Sequence, residues 1–124
     1  MVFTNYGRSG NTLLWAGSAD KPEWCAIGSG SGAELAAVGS LFAEVLSERK
    51  QFTTRDISVA NETTWTFDFS STTMSGIELK EFGLAGSAAK NSQTLWTREG
   101  LANAITFNGS NELQVQIILR TVQG

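Results

Sequence analysis

A chain of 124 residues with 41% hydrophobic and 17% charged residues is long enough for one buried core and too apolar for intrinsic disorder. With 9 basic against 12 acidic residues, a net charge of −3 and no basic cluster beyond Arg49-Lys50, no nucleic acid is expected as a partner, because counterion release needs a basic face. One cysteine and no histidine exclude an internal disulfide and a cysteine-built metal site, and leave Cys25 without a base to activate it as a nucleophile.

The chain opens without a charged leader and apolar stretch, so no signal peptide is expected, and no apolar run is long enough to make a membrane a partner. The N-terminal arm, with Val2, Phe3, Tyr6 and Arg8, carries two aromatics that need burial, either as an edge strand on its own core or against a neighbour. Thr12 to Trp15 and Glu23 to Ile27 read as short strands, with Cys25 a buried thiol between Trp24 and Ala26. The glycine-rich residues 28–33 read as a loop. Leu35, Val38, Leu41, Phe42, Val45 and Leu46 fall near helical spacing and predict a short helical segment near residues 33–47. Gly39-Ser40 interrupts that stripe, so two short turns fit as well as one helix.

From there alternation takes over. Ile57-Ser58-Val59 leads through Asn61-Glu62-Thr63 into Trp65-Thr66-Phe67-Asp68-Phe69, a strand with one buried aromatic face. Ile77 to Phe82 alternates until Lys80-Glu81 slips by one residue, and a bulge there returns Phe82 to the core. Residues 85–92 form a second surface loop, Thr94 to Thr97 a short strand, and Ile105-Thr106-Phe107 with Asn108-Gly109 a hairpin-like connection. The last strand, Leu113 to Leu119, starts half exposed and is expected to end covered on both faces. The class is mainly β: a single domain over 1–124, an antiparallel β-sandwich or small barrel.

Gly28-x-Gly30-x-x-Ala33, with Asp56 downstream, satisfies a relaxed dinucleotide pattern, yet that fingerprint works only at the first β-α turn of a parallel sheet. No strand and helix pair follows residue 50, and no Gly-Lys-Ser/Thr makes a P-loop. The glycines are therefore expected to make a turn. Glu78 and Glu81, or Asp68 with Glu78, are candidate paired carboxylates, but their register favours a solvated face or a cross-strand pair with Lys80 or Arg98. No catalytic residue, metal site or cofactor is expected. Of four tryptophans, Trp65 alternates in phase with Phe67 and Phe69 and belongs to the core, whereas Trp15 and Trp96 sit at strand ends and are assigned to a protein interface.

The order of features resembles a recurrent module of tailed-phage virion proteins, including the N-terminal domain of collar-type tail fibres. Pro22 to Gly30 corresponds to its I-A-x-G-x-G loop, Leu41-Phe42-Ala43-Glu44 and Arg49 to its L-x-x-E…R segment, and Ile77 to Leu84 to its I-x-E-x-G-L motif. The likeness spans residues 22–84, and in outline continues through Thr94-Leu95-Trp96-Thr97-Arg98 to a closing strand. This sequence departs from the pattern in carrying Phe82 between Glu81 and Gly83, and in its loose Glu44 to Arg49 spacing. Fibre modules continue into a shaft, whereas this sequence ends at Gly124 after its last strand. The resemblance thus implies a non-enzymatic capsid decoration (cement) protein of a virion, made in the host cytoplasm. Its partners would be the major capsid protein or other virion structural proteins, and it would form a homo-oligomer with a trimer as the expected symmetry. A tail or baseplate attachment protein is the second expectation and a carbohydrate-binding β-sandwich module the third. Phe3, Tyr6, Arg8, Trp15 and Trp96 are the interface candidates.

Overall fold

Alternating sequences give strands, and two antiparallel sheets result. The computed structural model describes residues 2–7, 21–33, 37 and 39–120. Strands β1 (Val2–Phe3), β2 (Trp24–Gly28), β3 (Lys50–Gln51), β6 (Glu78–Ala85) and β7 (Thr97–Thr106) form a five-stranded sheet in the order β1-β7-β6-β2-β3. β4 (Thr54–Asp56), β5 (Glu62–Phe69) and β8 (Leu113–Arg120) form a three-stranded sheet in the order β4-β5-β8. This is the mainly β, antiparallel class that the alternation predicts, and of the two expected architectures it is sandwich-like and not a closed barrel. Among the described residues no helix is long and apolar enough to cross a membrane.

The sheets face each other across one core. Cys25 and Ile27 of β2 and Leu79 and Leu84 of β6 pack with Trp65, Phe67, Phe69, Val115 and Ile117 of the smaller sheet. The helix α1 (Ser71–Met74) adds Met74 to this core, and the Ser70 hydroxyl caps it by accepting from the Thr73 N–H at 3.1 Å. Between β3 and β4 the chain changes sheets: the Phe52 N–H donates to the Glu23 carbonyl at 3.1 Å, and the next N–H, of Thr53, donates to the Thr66 carbonyl at 2.7 Å.

The register of β6 slips between Leu79 and Glu81, as the sequence suggests. The bulge puts Leu79, Phe82 and Leu84 on the core side and leaves Glu81, Gly83 and Ala85 on the outer face. There Ala85 meets Ala26, Leu41 and Leu95, so the large sheet has a second, smaller apolar layer.

Four local readings differ. The described part of 33–47 holds no helix: residues 39–49 run as an irregular strap, and Leu35 and Val38 lie outside the described residues. Phe42 and Ala43 donate their N–H groups to a side chain from β6 instead of to helical carbonyls. The strand before the 59–61 turn lies earlier, at Thr54–Asp56, because the Asp56 carboxylate accepts from the Ser58 N–H at 2.8 Å and ends it, which leaves Ile57 and Val59 exposed. The 107–112 connection joins strands of different sheets and is not a hairpin. Ile118 remains 46% exposed, so β8 ends with one face open. The Thr12 to Trp15 strand lies outside the described residues.

Candidate functional site

The glycine loop leaving β2 does cradle an anion, and the anion is the chain's own. The fully buried Glu81 carboxylate accepts from the backbone N–H groups of Gly30 at 2.9 Å, Phe42 at 2.8 Å and Ala43 at 2.7 Å, and from Nε of Arg98 at 3.1 Å. Converging amides with a guanidinium on one carboxylate reproduce the donor set of a phosphate loop. Here they bind the strap to the outer face of the sheet. The Phe42 ring closes the site, with the Arg98 guanidinium carbon 4.5 Å from its centroid.

The approach is close enough to require glycine. A Cβ on Gly28 would lie 2.6 Å from both the Ala43 carbonyl oxygen and Glu81 Oε2, and one on Gly30 would lie 2.6 Å from Glu81 Oε2 and 2.7 Å from the Ala43 nitrogen. Gly28→Ala and Gly30→Ala are each expected to destabilise by about 1–3 kcal/mol through overpacking, measured by urea unfolding. Gly76→Ala serves as the reference: at φ +78 with nothing near its Cβ, it carries only backbone strain.

A second buried pair anchors the strap's far end. Arg49 binds Glu44 in bidentate fashion, Nε to Oε2 at 3.0 Å and Nη2 to Oε1 at 3.1 Å, with both side chains inaccessible to solvent. The remaining guanidinium donors reach the Ser87 and Ser92 carbonyls and the hydroxyls of Ser92 and Thr94, and the Asn91 N–H completes Glu44 at 3.0 Å. Backbone bonds run alongside: Ser29 N–H to Ala43 carbonyl at 2.9 Å, Val45 N–H to Ile27 carbonyl at 3.1 Å, and Leu95 N–H to Gly39 carbonyl at 3.2 Å.

The candidate carboxylates are thus accounted for. Glu81 makes the cross-strand pair with Arg98 that its register allows, although it is buried and not on a solvated face. Asp68 lies on the other sheet from Glu78 and is exposed; its carboxyl is held below the usual range first by the Gln114 amide and then by the Thr53 hydroxyl. Asp56 is exposed at the end of β4, far in role from a ribose-binding acid. The sequence reading missed Glu44 and Arg49 as a pair, because their spacing matches neither helical nor strand neighbours. Their place in the resemblance was the available signal.

Of the interface candidates, Phe3 and Tyr6 pack on Trp96, with ring centroids at 6.2 and 6.4 Å. The arm is an edge strand on its own core, paired as Val2 with Arg98 and Phe3 with Thr97. Trp96 is 2% exposed in the single chain, where Phe3 and Tyr6 pack against it. Arg8 and Trp15 lie outside the described residues. Trp65 and Trp96 also floor a cavity of about 550 Å³ between Pro22, Ile57, Val59 and Leu119. Their burial leaves neither ring an open face on which a sugar can stack.

Cys25 is fully buried, and burial pushes its thiol pKa well up. Thiol labelling of the native protein is therefore expected to be limited by unfolding, and to become rapid once urea crosses the unfolding midpoint.

No family model, curated protein or solved structure matches the chain.

Proposed function

We propose that this protein is a non-enzymatic structural component of a tailed-phage-like virion, binding the major capsid protein as a decoration protein. One observation carries the reading. The short motifs that bear the resemblance, scattered over 22–98 in sequence, converge on one unit: Gly28 leaves room for the Glu81 carboxylate, Gly30 donates to it, Glu81 holds Arg98, and Glu44 holds Arg49. In this chain the residues that bear the likeness thus belong to one strap-on-sheet unit, which supports the reading. The two carboxylates best placed for acid–base work are saturated by the chain's own arginines and amides, which favours a scaffold over a catalyst. Such a scaffold acts by burying apolar surface and pairing strand edges with neighbours.

The test is co-sedimentation of the purified chain with empty heads and with isolated tails of the virus that encodes it. Saturable binding to heads is expected. Binding to tails alone replaces decoration with tail attachment, and binding to neither overturns the virion reading.

A further inference from the structure

Among the described residues the smaller sheet stops at β8. β5 pairs with one side of β8 along its whole length, from Glu62 opposite Arg120 to Phe69 opposite Leu113, and no described strand pairs with the other side. Edges meant to stay single carry lysine, proline or a bulge. Leu113–Arg120 has no lysine or proline, its register with β5 is unbroken, and its one charge is its last residue. The opposite edge of the same sheet, β4, is short and carries Arg55 and Asp56 in three residues.

The sequence of this edge, which no described strand pairs, is self-complementary. From Glu112 to Arg120 it reads Glu-Leu-Gln-Val-Gln-Ile-Ile-Leu-Arg, with Gln116 at its centre. An antiparallel pair of two copies with Gln116 facing Gln116 sets Val115 opposite Ile117, Gln114 opposite Ile118 and Leu113 opposite Leu119. The core-facing residues Leu113, Val115, Ile117 and Leu119 then continue one apolar face across the axis. Glu112 falls opposite Arg120 of the partner subunit, twice over. Neighbouring registers lose this: centring on Val115 sets Glu112 against Ile118, and centring on Ile117 sets Arg120 against Gln114. Arg120 touches Glu62 with one nitrogen at 3.2 Å and is otherwise 61% exposed, so further donors remain on its solvent side.

We propose that the β8 edge is the docking site for a second copy of this chain, paired antiparallel about Gln116, so that two smaller sheets become one continuous sheet across a two-fold axis. Such a contact is isologous and closes on itself, so the unit it builds is a dimer. It does not depend on virion binding. A dimer that binds neither heads nor tails keeps this inference and overturns the proposed function, and a monomer that binds heads does the reverse.

The test is sedimentation of the full chain over a concentration series, together with register-specific cross-linking. Gln116→Cys is expected to form a covalent dimer on mild oxidation, because directly opposed residues lie about 4.5–5.5 Å apart at Cα, within disulfide reach. Gln114→Cys, four residues out of register with its own copy, places the thiols roughly 13 Å apart and is expected to link at least ~10-fold more slowly. Both positions are exposed, and the buried Cys25 does not compete. Glu112→Arg is expected to weaken association about 10-fold by facing Arg120 of the partner subunit, and Glu112→Arg with Arg120→Glu to restore it. A chain that sediments as a monomer throughout, or cysteine variants that link at equal rates, overturns the proposal.

Discussion

Replacing Glu81 with leucine is expected to destabilise the fold by at least about 3–5 kcal/mol in urea unfolding, the usual penalty for stranding one member of a buried ion pair. Against a typical domain stability of about 5–15 kcal/mol, that brings the chain close to unfolding at ambient temperature. The double variant Glu81→Leu/Arg98→Met separates the charge from the cradle. Many buried pairs can be exchanged for apolar residues without loss. This one is expected to recover only in part, because the amides of Gly30, Phe42 and Ala43 still need an acceptor, at about 1–3 kcal/mol for each one left buried. The strap escapes that penalty by releasing into water, so faster hydrogen exchange at Phe42 and Ala43 is expected while the sandwich amides stay protected. A double variant with wild-type stability and protected strap amides would refute this account of the cradle.

The second large effect is at Arg49. Arg49→Met leaves Glu44 buried without its partner and is expected to cost about 3–5 kcal/mol. Arg49→Lys keeps the charge but loses the planar fork that reaches Glu44, Ser87, Ser92 and Thr94 together, and is expected to cost about 2–3 kcal/mol. Arg120→Lys is the control. Its pair with Glu62 sits in water at 61% and 20% side-chain exposure, where ion pairs contribute less than about 1 kcal/mol. Equal losses at the two arginines in thermal or urea unfolding would show that burial does not set the difference.

Period-two patterns made the sandwich legible. Trp65, Phe67 and Phe69 announce β5, and the slip at Lys80-Glu81 announces the bulge that turns Glu81 outward. Even the Glu81–Arg98 pair lay within reach, since it follows from strand register. The strap did not. Leu41, Phe42, Val45 and Leu46 match a helical stripe, yet Leu41 enters the small outer layer, Phe42 covers Arg98, and Val45 and Leu46 return to the main core. What overrides the spacing is a carboxylate that binds backbone amides 38 and 39 residues away, and amides carry no side-chain signature. The glycines of 28–30 were legible as an anion-binding pattern in form, but nothing local says that the anion is already part of the chain.

That last feature orders events in time. During synthesis the glycine loop and the strap emerge long before their anchor, since Glu81 lies 51 residues beyond Gly30 and Ser92 lies 43 beyond Arg49. A nascent chain cannot seat the Gly30 loop and the strap of residues 39–49 until β6, the start of β7 and the turn between them have left the ribosome. Folding therefore completes late, through contacts distant along the chain, a topology that goes with folding in milliseconds to seconds instead of microseconds. Until then the outer face of β2 stays open to solvent, and a nascent chain released before Arg98 has no means of closing it.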